Sequence, residues 1–231
     1  MFKIKNISFL IAAHNSEKKI LETIKSASIA SHKAKLNFEI IVIDDCSTDK
    51  TFYILSELKK KKKFLKIFKN KKNLGFSKSI LKAAKKASGK NIKILHAANI
   101  ESSSDIKKYL IRSKTNQLVL TNFIDKRSFF RKILSLTCSK IFSLISGNNI
   151  RYFNSALLCN RNDFLKFYPK NFKGNFFLSV IISKMLILDY THSEVTVYQK
   201  HPKKGSKAVS VVNLVSFFQA LMIVFLYRLT K

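Results

Sequence analysis

Glu39-Ile-Ile-Val-Ile-Asp-Asp-Cys-Ser-Thr-Asp-Lys-Thr51 decides the fold. A short apolar run, rich in β-branched residues, ends in two adjacent carboxylates. Such a run reads as a buried parallel strand. Open α/β sheets hold their ligands at the C-terminal ends of strands, which is where Asp44 and Asp45 fall. Ser47, Thr48 and Asp49 can cap a helix that starts near Thr51. A plain strand followed by an N-cap would read the same way, so the neighbouring segments must decide.

Working outward, the first half of the chain alternates strand and helix. Strand 7–13 leads to helix 17–31, strand 38–44 to helix 49–63, and strand 64–68 to helix 76–88. Strand 92–96 leads to helix 104–112, and strand 117–121 follows. The alternation predicts an α/β fold: a mainly parallel sheet with right-handed crossovers and helices on both faces. The turn after the first strand (Ala12, Ala13, His14, Asn15, Glu17) and the Asp44-Asp45 pair would then flank one crevice. Carboxylates there can accept hydrogen bonds from a base or a ribose.

At 231 residues the chain can bury one substantial core. Lys and Arg total 44 against 13 Asp and Glu, a net charge of +31. Arginine occurs only at Arg112, Arg127, Arg131, Arg151, Arg161 and Arg228, so the charge is almost all lysine. Base and phosphate readers favour the bidentate guanidinium, which argues against a nucleic-acid partner. The runs Lys59–Lys63 and Lys69–Lys72 read as solvated faces. Anionic lipid surfaces and sugar nucleotides remain natural partners. Cys46, Cys138 and Cys159 have no metal spacing and suit a reducing compartment, and no secretory signal is expected, since Met1 to Asn6 is too short for one and leads straight into core.

The second half predicts an amphipathic helix over 127–147, a helix over 175–188, a strand over 193–198 and a basic loop over 200–207. The tail from Val209 to Tyr227 is strongly apolar, with Ser210, Asn213, Ser216 and Gln219 on one stripe. It is marginal for a span of about 20 apolar residues. It suits a helix lying in a membrane interface with its basic flanks on anionic lipid, the alternative being a C-terminal helix packed on the domain. The expected organisation is therefore one domain over 1–207 and a membrane-interface helix over 208–231.

Four segments in order carry a resemblance: Ile7-Ser-Phe-Leu-Ile-Ala-Ala-His-Asn15, the stretch 39–51, Asn73-Leu-Gly-Phe76, and Asn91-Ile-Lys-Ile-Leu-His96. Together they resemble family-2 glycosyltransferases of the GT-A (nucleotide-diphospho-sugar transferase) fold. Cys46 stands where that family usually has glycine. The resemblance implies a nucleotide-sugar site built from Ala12, Ala13, His14, Asn15, Glu17, Asp44, Asp45, Ser47, Gly75, Lys78 and Ala97. Asp45 leads and Asp44 follows, with Gly75 allowing close backbone approach.

The family also places a metal-binding Asp-x-Asp at the positions of His96 and Ala98, where two acids would hold Mg²⁺ or Mn²⁺ against the pyrophosphate. Neither acid is kept, so no metal site is assigned and metal dependence is expected to be weak or absent. His96 and Glu101 are the only neighbouring candidate ligands, and Asp105 is expected to cap a helix instead. No catalytic residue can be named.

Further on, Arg151-Tyr-Phe-Asn-Ser-Ala-Leu157 with Arg161, Ser193-Glu-Val-Thr-Val-Tyr198 and Gly205-Ser-Lys207 resemble worn segments of dolichol-phosphate mannosyltransferase-like enzymes. That likeness implies a sugar acceptor such as polyprenyl phosphate, its phosphate met by Arg151, Lys203, Lys204 and Lys207. It implies a cytoplasmic protein, peripheral on the inner face of the cell membrane and serving the cell envelope. The alternative is a non-catalytic member of the fold that binds nucleotide, glycan or a partner enzyme.

Overall fold

Strand and helix alternate through the first half as the apolar periodicity requires: β1 (Asn6–Ala13), α1 (Ile20–Lys33), β2 (Asn37–Asp44), α2 (Thr51–Lys61), β3 (Leu65–Lys69), α3 (Phe76–Lys86), β4 (Asn91–His96), α4 (Ser103–Arg112). β5 (Leu118–Ile124), α5 (Phe129–Ser146), β6 (Leu157–Asn160), α6 (Arg161–Phe167), α7 (Phe177–Ile187), β7 (His192–Tyr198) and α8 (Val211–Leu229) follow. This computed structural model describes residues 6–124, 129–172, 174–198 and 211–231. The fold is α/β, with seven strands mostly parallel. Two compact units divide the chain: Met1–Thr115 with Leu158–Leu165, and Asn116–Leu157 with Lys166–Lys231.

In the first unit the order is β3-β2-β1-β4, all parallel. Neighbours on either side of β1 are reached by crossovers in opposite directions, so the sheet has its switch point at β1 and β4. Ala13 is in register with Asp44, and Ala12 with His96. The chain thus brings the ends of β1, β2 and β4 to one edge. The core below that edge is Phe9, Leu10, Ile11, Ile40–Ile43 and Ile94, all fully buried.

Glu39 locks the opposite end of the sheet. Its carboxylate accepts from Ser8 Oγ, the Ser88 amide (2.6 Å) and the Gly89 amide (3.3 Å), and pairs with Lys66 Nζ at 2.6 Å. Burial alone would raise its pKa. Lys66 and the Ser8 and Ser88 donors outweigh that and bring it down to about 2. Gly89 is obligatory there, because a Cβ would lie 2.6 Å from Ser8 Oγ and 2.8 Å from its amide nitrogen.

Two short elements escaped the sequence reading. Leu158 to Asn160 of β6 run antiparallel to β4, and α6 begins at Arg161. Arg161, singled out from sequence for its place in an acceptor motif, donates from Nε to the Ala84 carbonyl at 2.8 Å and from Nη2 to Lys85 at 3.3 Å. It caps the last turn of α3, where free carbonyls attract a cation.

In the second unit β5 pairs with β7 in parallel from Leu118↔His192 to Ile124↔Tyr198. α7 is apolar nearly all round and correspondingly buried. α8 packs on α7 and α5 through Ser216, Ala220 and Val224, with the Phe217 ring 5.9 Å from Phe142 and 5.4 Å from Phe176. Part of the polar stripe is turned inward. Ser216 is fully buried against Gly174, whose missing Cβ makes room for it, and Asn213 accepts from Asn175 Nδ2 at 2.9 Å. Leu214, Phe218, Met222, Phe225 and Leu226 point outward, each at least half exposed. The tail is therefore built into this unit on one face and leaves an apolar surface on the other.

Candidate functional site

Asp44 and Asp45 end β2 side by side and have different surroundings. Asp45 is 4% exposed and fully engaged with its own chain. Its Oδ1 accepts from Asn70 Nδ2 at 2.7 Å and the Leu74 amide at 2.8 Å, and its Oδ2 accepts from the Gly75 amide at 2.8 Å. It fixes the turn that opens α3. Asp44 is completely buried, its Oδ2 accepts only a long bond from the Ser47 amide at 3.4 Å, and its Oδ1 has no hydrogen-bond partner among the described residues. A buried carboxylate oxygen left without a donor is costly unless a ligand supplies one.

The turns after β1 and β2 brace each other. Asn15, in left-handed backbone at φ 47°, donates its amide to Ser47 Oγ at 3.1 Å and accepts the Thr48 amide at 2.9 Å. Ser16 donates its amide to Thr51 Oγ1 at 2.7 Å. The Glu17 amide donates to Asp49 Oδ2 at 3.2 Å, while Glu17 Oε2 accepts the Lys50 amide at 2.9 Å. This bracing delays α1 to Ile20, three residues later than the periodicity predicts. Asp49 Oδ1 also accepts the Thr51 amide at 2.9 Å, so the expected polar capping of α2 falls to Asp49. His14 is exposed, with Nδ1 3.0 Å from the Asp45 carbonyl oxygen.

Several candidate residues thus build the crevice: Asn15 and Ser47 bond to each other, Glu17 to Asp49 and Lys50, and Asp45 to Asn70, Leu74 and Gly75. Ala12 and Ala13 line the end of β1, Ala97 lies just beyond β4, and Lys78 is exposed in the first turn of α3. A Cβ on Gly75 would meet no protein atom within 4 Å, and the φ of 81° there is one that favours glycine. Cys46 has a φ of 61°, which explains why a glycine is the easier residue at that position. Asn70 was missed by sequence reasoning. It is buried, bridges Asp45 to Ser79 Oγ at 3.0 Å, and accepts from Lys82 Nζ at 2.6 Å. A polar residue just after a strand was the available signal.

The turn after β4 does not suit a divalent cation. Ala98 offers no ligand atom. Glu101 is buried and pairs with the equally buried Lys93 at 3.2 Å. His96 Nδ1 lies 3.8 Å from Glu101 Oε2, and the His96 ring lies parallel to that of Phe76, 6.1 Å away. Among the described residues no three His, Cys, Asp or Glu side chains cluster to hold a metal. Asp105 forms a capping box with Ser102 at the start of α4, as expected of it.

Of the acceptor candidates, Arg151 is exposed in the second unit, and its backbone N–H and charge act on Glu194. Burial nevertheless holds the Glu194 carboxyl above its ordinary value. Lys203, Lys204 and Lys207 lie outside the described residues.

Comparison with known proteins agrees with this architecture. Residues 8–134 match the model of glycosyl transferase family 2, and the chain belongs to that family. A glycosyltransferase of Haemophilus influenzae, described as uncharacterized, is 37% identical over 110 residues, 48% of this chain. The chain spans only 33% of that relative's length. Residues 1–349 of Staphylococcus aureus TarS, crystallised with UDP-GlcNAc, superpose with a TM-score of 0.69 at 18% identity, covering 96% of this chain and 66% of that one. Glucosyl-3-phosphoglycerate synthase from Mycobacterium tuberculosis, crystallised with Mn²⁺, UDP and phosphoglyceric acid, gives 0.70 at 16% identity, over 94% and 78% of the two chains. These structures share the fold.

Proposed function

We propose that the chain is a glycosyltransferase that moves a sugar from a nucleoside diphosphate donor to a lipid-linked acceptor at a membrane surface. The observation that carries the donor half is Asp44, a buried acceptor with a partnerless oxygen at the edge where β1, β2 and β4 end. A base N–H or ribose hydroxyl is the donor such an oxygen requires. Family membership and the uridine nucleotides named with the two similar structures favour a UDP-sugar.

The acceptor half rests on charge and on α8. A phosphate acceptor is largely ionised near neutral pH, its second pKa being about 6, and needs cations more than a general base. Exposed Arg151 and the basic segment carrying Lys203, Lys204 and Lys207 are the candidate cations. Val212–Leu229 is apolar and long enough to cross a membrane by length and composition, and most of it is exposed. With one face of α8 packed on α5 and α7, an interfacial placement suits it better than a span. On this reading a polyprenyl phosphate is a fitting acceptor, and the protein works at the cytoplasmic face of the cell membrane in envelope assembly.

Calorimetry of the full chain with UDP and GDP, followed by transfer of labelled sugar to polyprenyl phosphate in mixed vesicles, tests both halves. UDP binding with label entering the lipid fraction is expected, and no nucleotide binding overturns the donor assignment. The replacement of both motif acids by His96 and Ala98 favours a second reading, a non-catalytic nucleotide-binding member of the fold. That reading requires UDP binding with no transfer from any nucleotide sugar.

A further inference from the structure

A lysine in the middle of a core strand needs a reason. Lys93 is fully buried in β4 between Ile92 and Ile94. Its Nζ lies 3.2 Å from Glu101 Oε1 and 3.8 Å from the centroid of the buried Tyr109 ring. Two buried charges are seldom worth more to stability than an apolar pair of the same volume, so such a pair is better explained by what it positions. What this pair holds is a turn. Glu101 belongs to the segment between β4 and α4, at the crevice edge where the family resemblance implies a metal.

The other side of that turn is tied to α1. The Asn99 amide donates to Thr23 Oγ1 at 2.9 Å, and Asn99 Nδ2 donates to Glu22 Oε2 at 2.9 Å. Thr23 Oγ1 in turn donates to the His96 carbonyl at 3.3 Å. Burial pulls the Lys93 pKa down. It pushes that of Glu101 up, but Lys93 and His96 outweigh it and hold the carboxyl below its ordinary value. The carboxylate is thus kept ionised 3.8 Å from a His96 ring that is 32% exposed.

We propose that Lys93 is an internal substitute for the divalent cation: its ammonium holds Glu101 and the 96–101 turn in place, so that the donor binds without metal. Lys93 is a positioning residue on this proposal and does not touch the donor. The proposal rests on the donor reading above only for its nucleotide arm. The metal arm stands without nucleotide.

The sharpest consequence is a gain. Lys93→Met keeps most of the stem and removes the charge, which leaves the Glu101 carboxylate beside His96 with no ammonium. Carboxylate and imidazole together suit Mn²⁺. Free Mn²⁺ is followed by electron paramagnetic resonance as the full-length protein is titrated. The parent is expected to leave the free-ion signal unchanged, Lys93→Met to remove about one ion per chain, and Lys93→Met with Glu101→Gln to remove none. A role in packing alone would not create a metal site. A parent that takes up one Mn²⁺, or a folded Lys93→Met that takes up none, overturns the proposal.

Should Lys93→Met fail to fold, the double variant decides, because its pair is neutral and similar in size. In EDTA the parent is expected to bind UDP, and the double variant to bind it about tenfold more weakly, with no recovery in Mn²⁺. Unchanged affinity in the double variant overturns the positioning role. A parent that binds no UDP even with Mn²⁺ counts against the donor reading, and the Mn²⁺ titration then decides this proposal alone.

Discussion

Asp45 accepts the Gly75 amide at 2.8 Å across 30 residues of chain, and that bond divides the labour of the acidic pair. With Leu74 and Asn70 on its other oxygen, Asp45 fastens the α3 turn to the end of β2. Asp44 is left as the acid with an oxygen to offer.

Asp45→Ala is therefore expected to strip three donors at once and to cost about 3 kcal/mol or more, since each buried group left unpaired costs about 1–3 kcal/mol. Asp44→Ala removes the partnerless Oδ1 together with Oδ2, whose hydrogen bond from the Ser47 amide is long at 3.4 Å. It should cost less stability than Asp45→Ala and weaken UDP binding by about tenfold or more. Chemical denaturation and calorimetry on both variants check this. UDP affinity untouched by Asp44→Ala would remove Asp44 from the donor site.

Cys46 occupies left-handed backbone, φ 61°, without a β-branch. Cys46→Val puts a β-branched residue there and is expected to cost about 1–2 kcal/mol. Cys46→Gly should stay within about 1 kcal/mol of the parent, as relief of strain offsets the extra freedom of the unfolded glycine. Thermal melts of the two variants measure the difference, and equal stabilities would contradict it.

Glu39 gives the fold an acid-sensitive lock. Its folded pKa of about 2 lies below the ordinary 4.5. The group therefore binds fewer protons folded than unfolded, and its contribution is complete above the unfolded value. That contribution fades as pH falls from about 4.5 toward 2. Glu39→Gln should lose on the order of 2–3 kcal/mol at pH 7, and the gap to the parent should narrow through that window. A gap independent of pH between 7 and 3 would show that the lock is not ionic.

The sheet was legible because its evidence is local. Apolar β-branched runs ending in Asp44-Asp45 and His14-Asn15, with helical periods between, leave little choice of architecture. The roles within the site were not legible. Two adjacent carboxylates look alike until Asn70 and the 74–75 amides arrive from elsewhere in the chain to claim one of them. Glu101 could be named only as a candidate ligand, with no metal site assigned, because nothing in the sequence pairs it with Lys93. Four-residue β6 and seven-residue α6 are too short to carry a period. The orientation of α8 was hidden for a related reason. A polar stripe normally faces water, and only Gly174 and Asn175 reveal that Ser216 and Asn213 face the protein.

That orientation makes the membrane claim testable on the outward face alone. Phe218 is 59%, Met222 60% and Phe225 50% exposed, so replacing all three with serine removes little from the packed face. Each large apolar side chain moved from water into lipid contributes about 1.5–3 kcal/mol, so the triple variant should bind vesicles at least about a hundredfold more weakly. Its melting temperature should stay near the parent's. Flotation with phosphatidylcholine vesicles containing phosphatidylglycerol reads the binding. High salt should detach the parent only in part, because lysine attraction is screened while apolar insertion is not. Truncation after Lys207 is a blunter test. It also removes Ser216, Ala220, Val224 and the Phe217 ring from their contacts with α5 and α7, and should destabilise the second unit. A full-length protein that stays in the soluble fraction and ignores anionic vesicles would end the membrane claim, and with it most of the case for a lipid-linked acceptor.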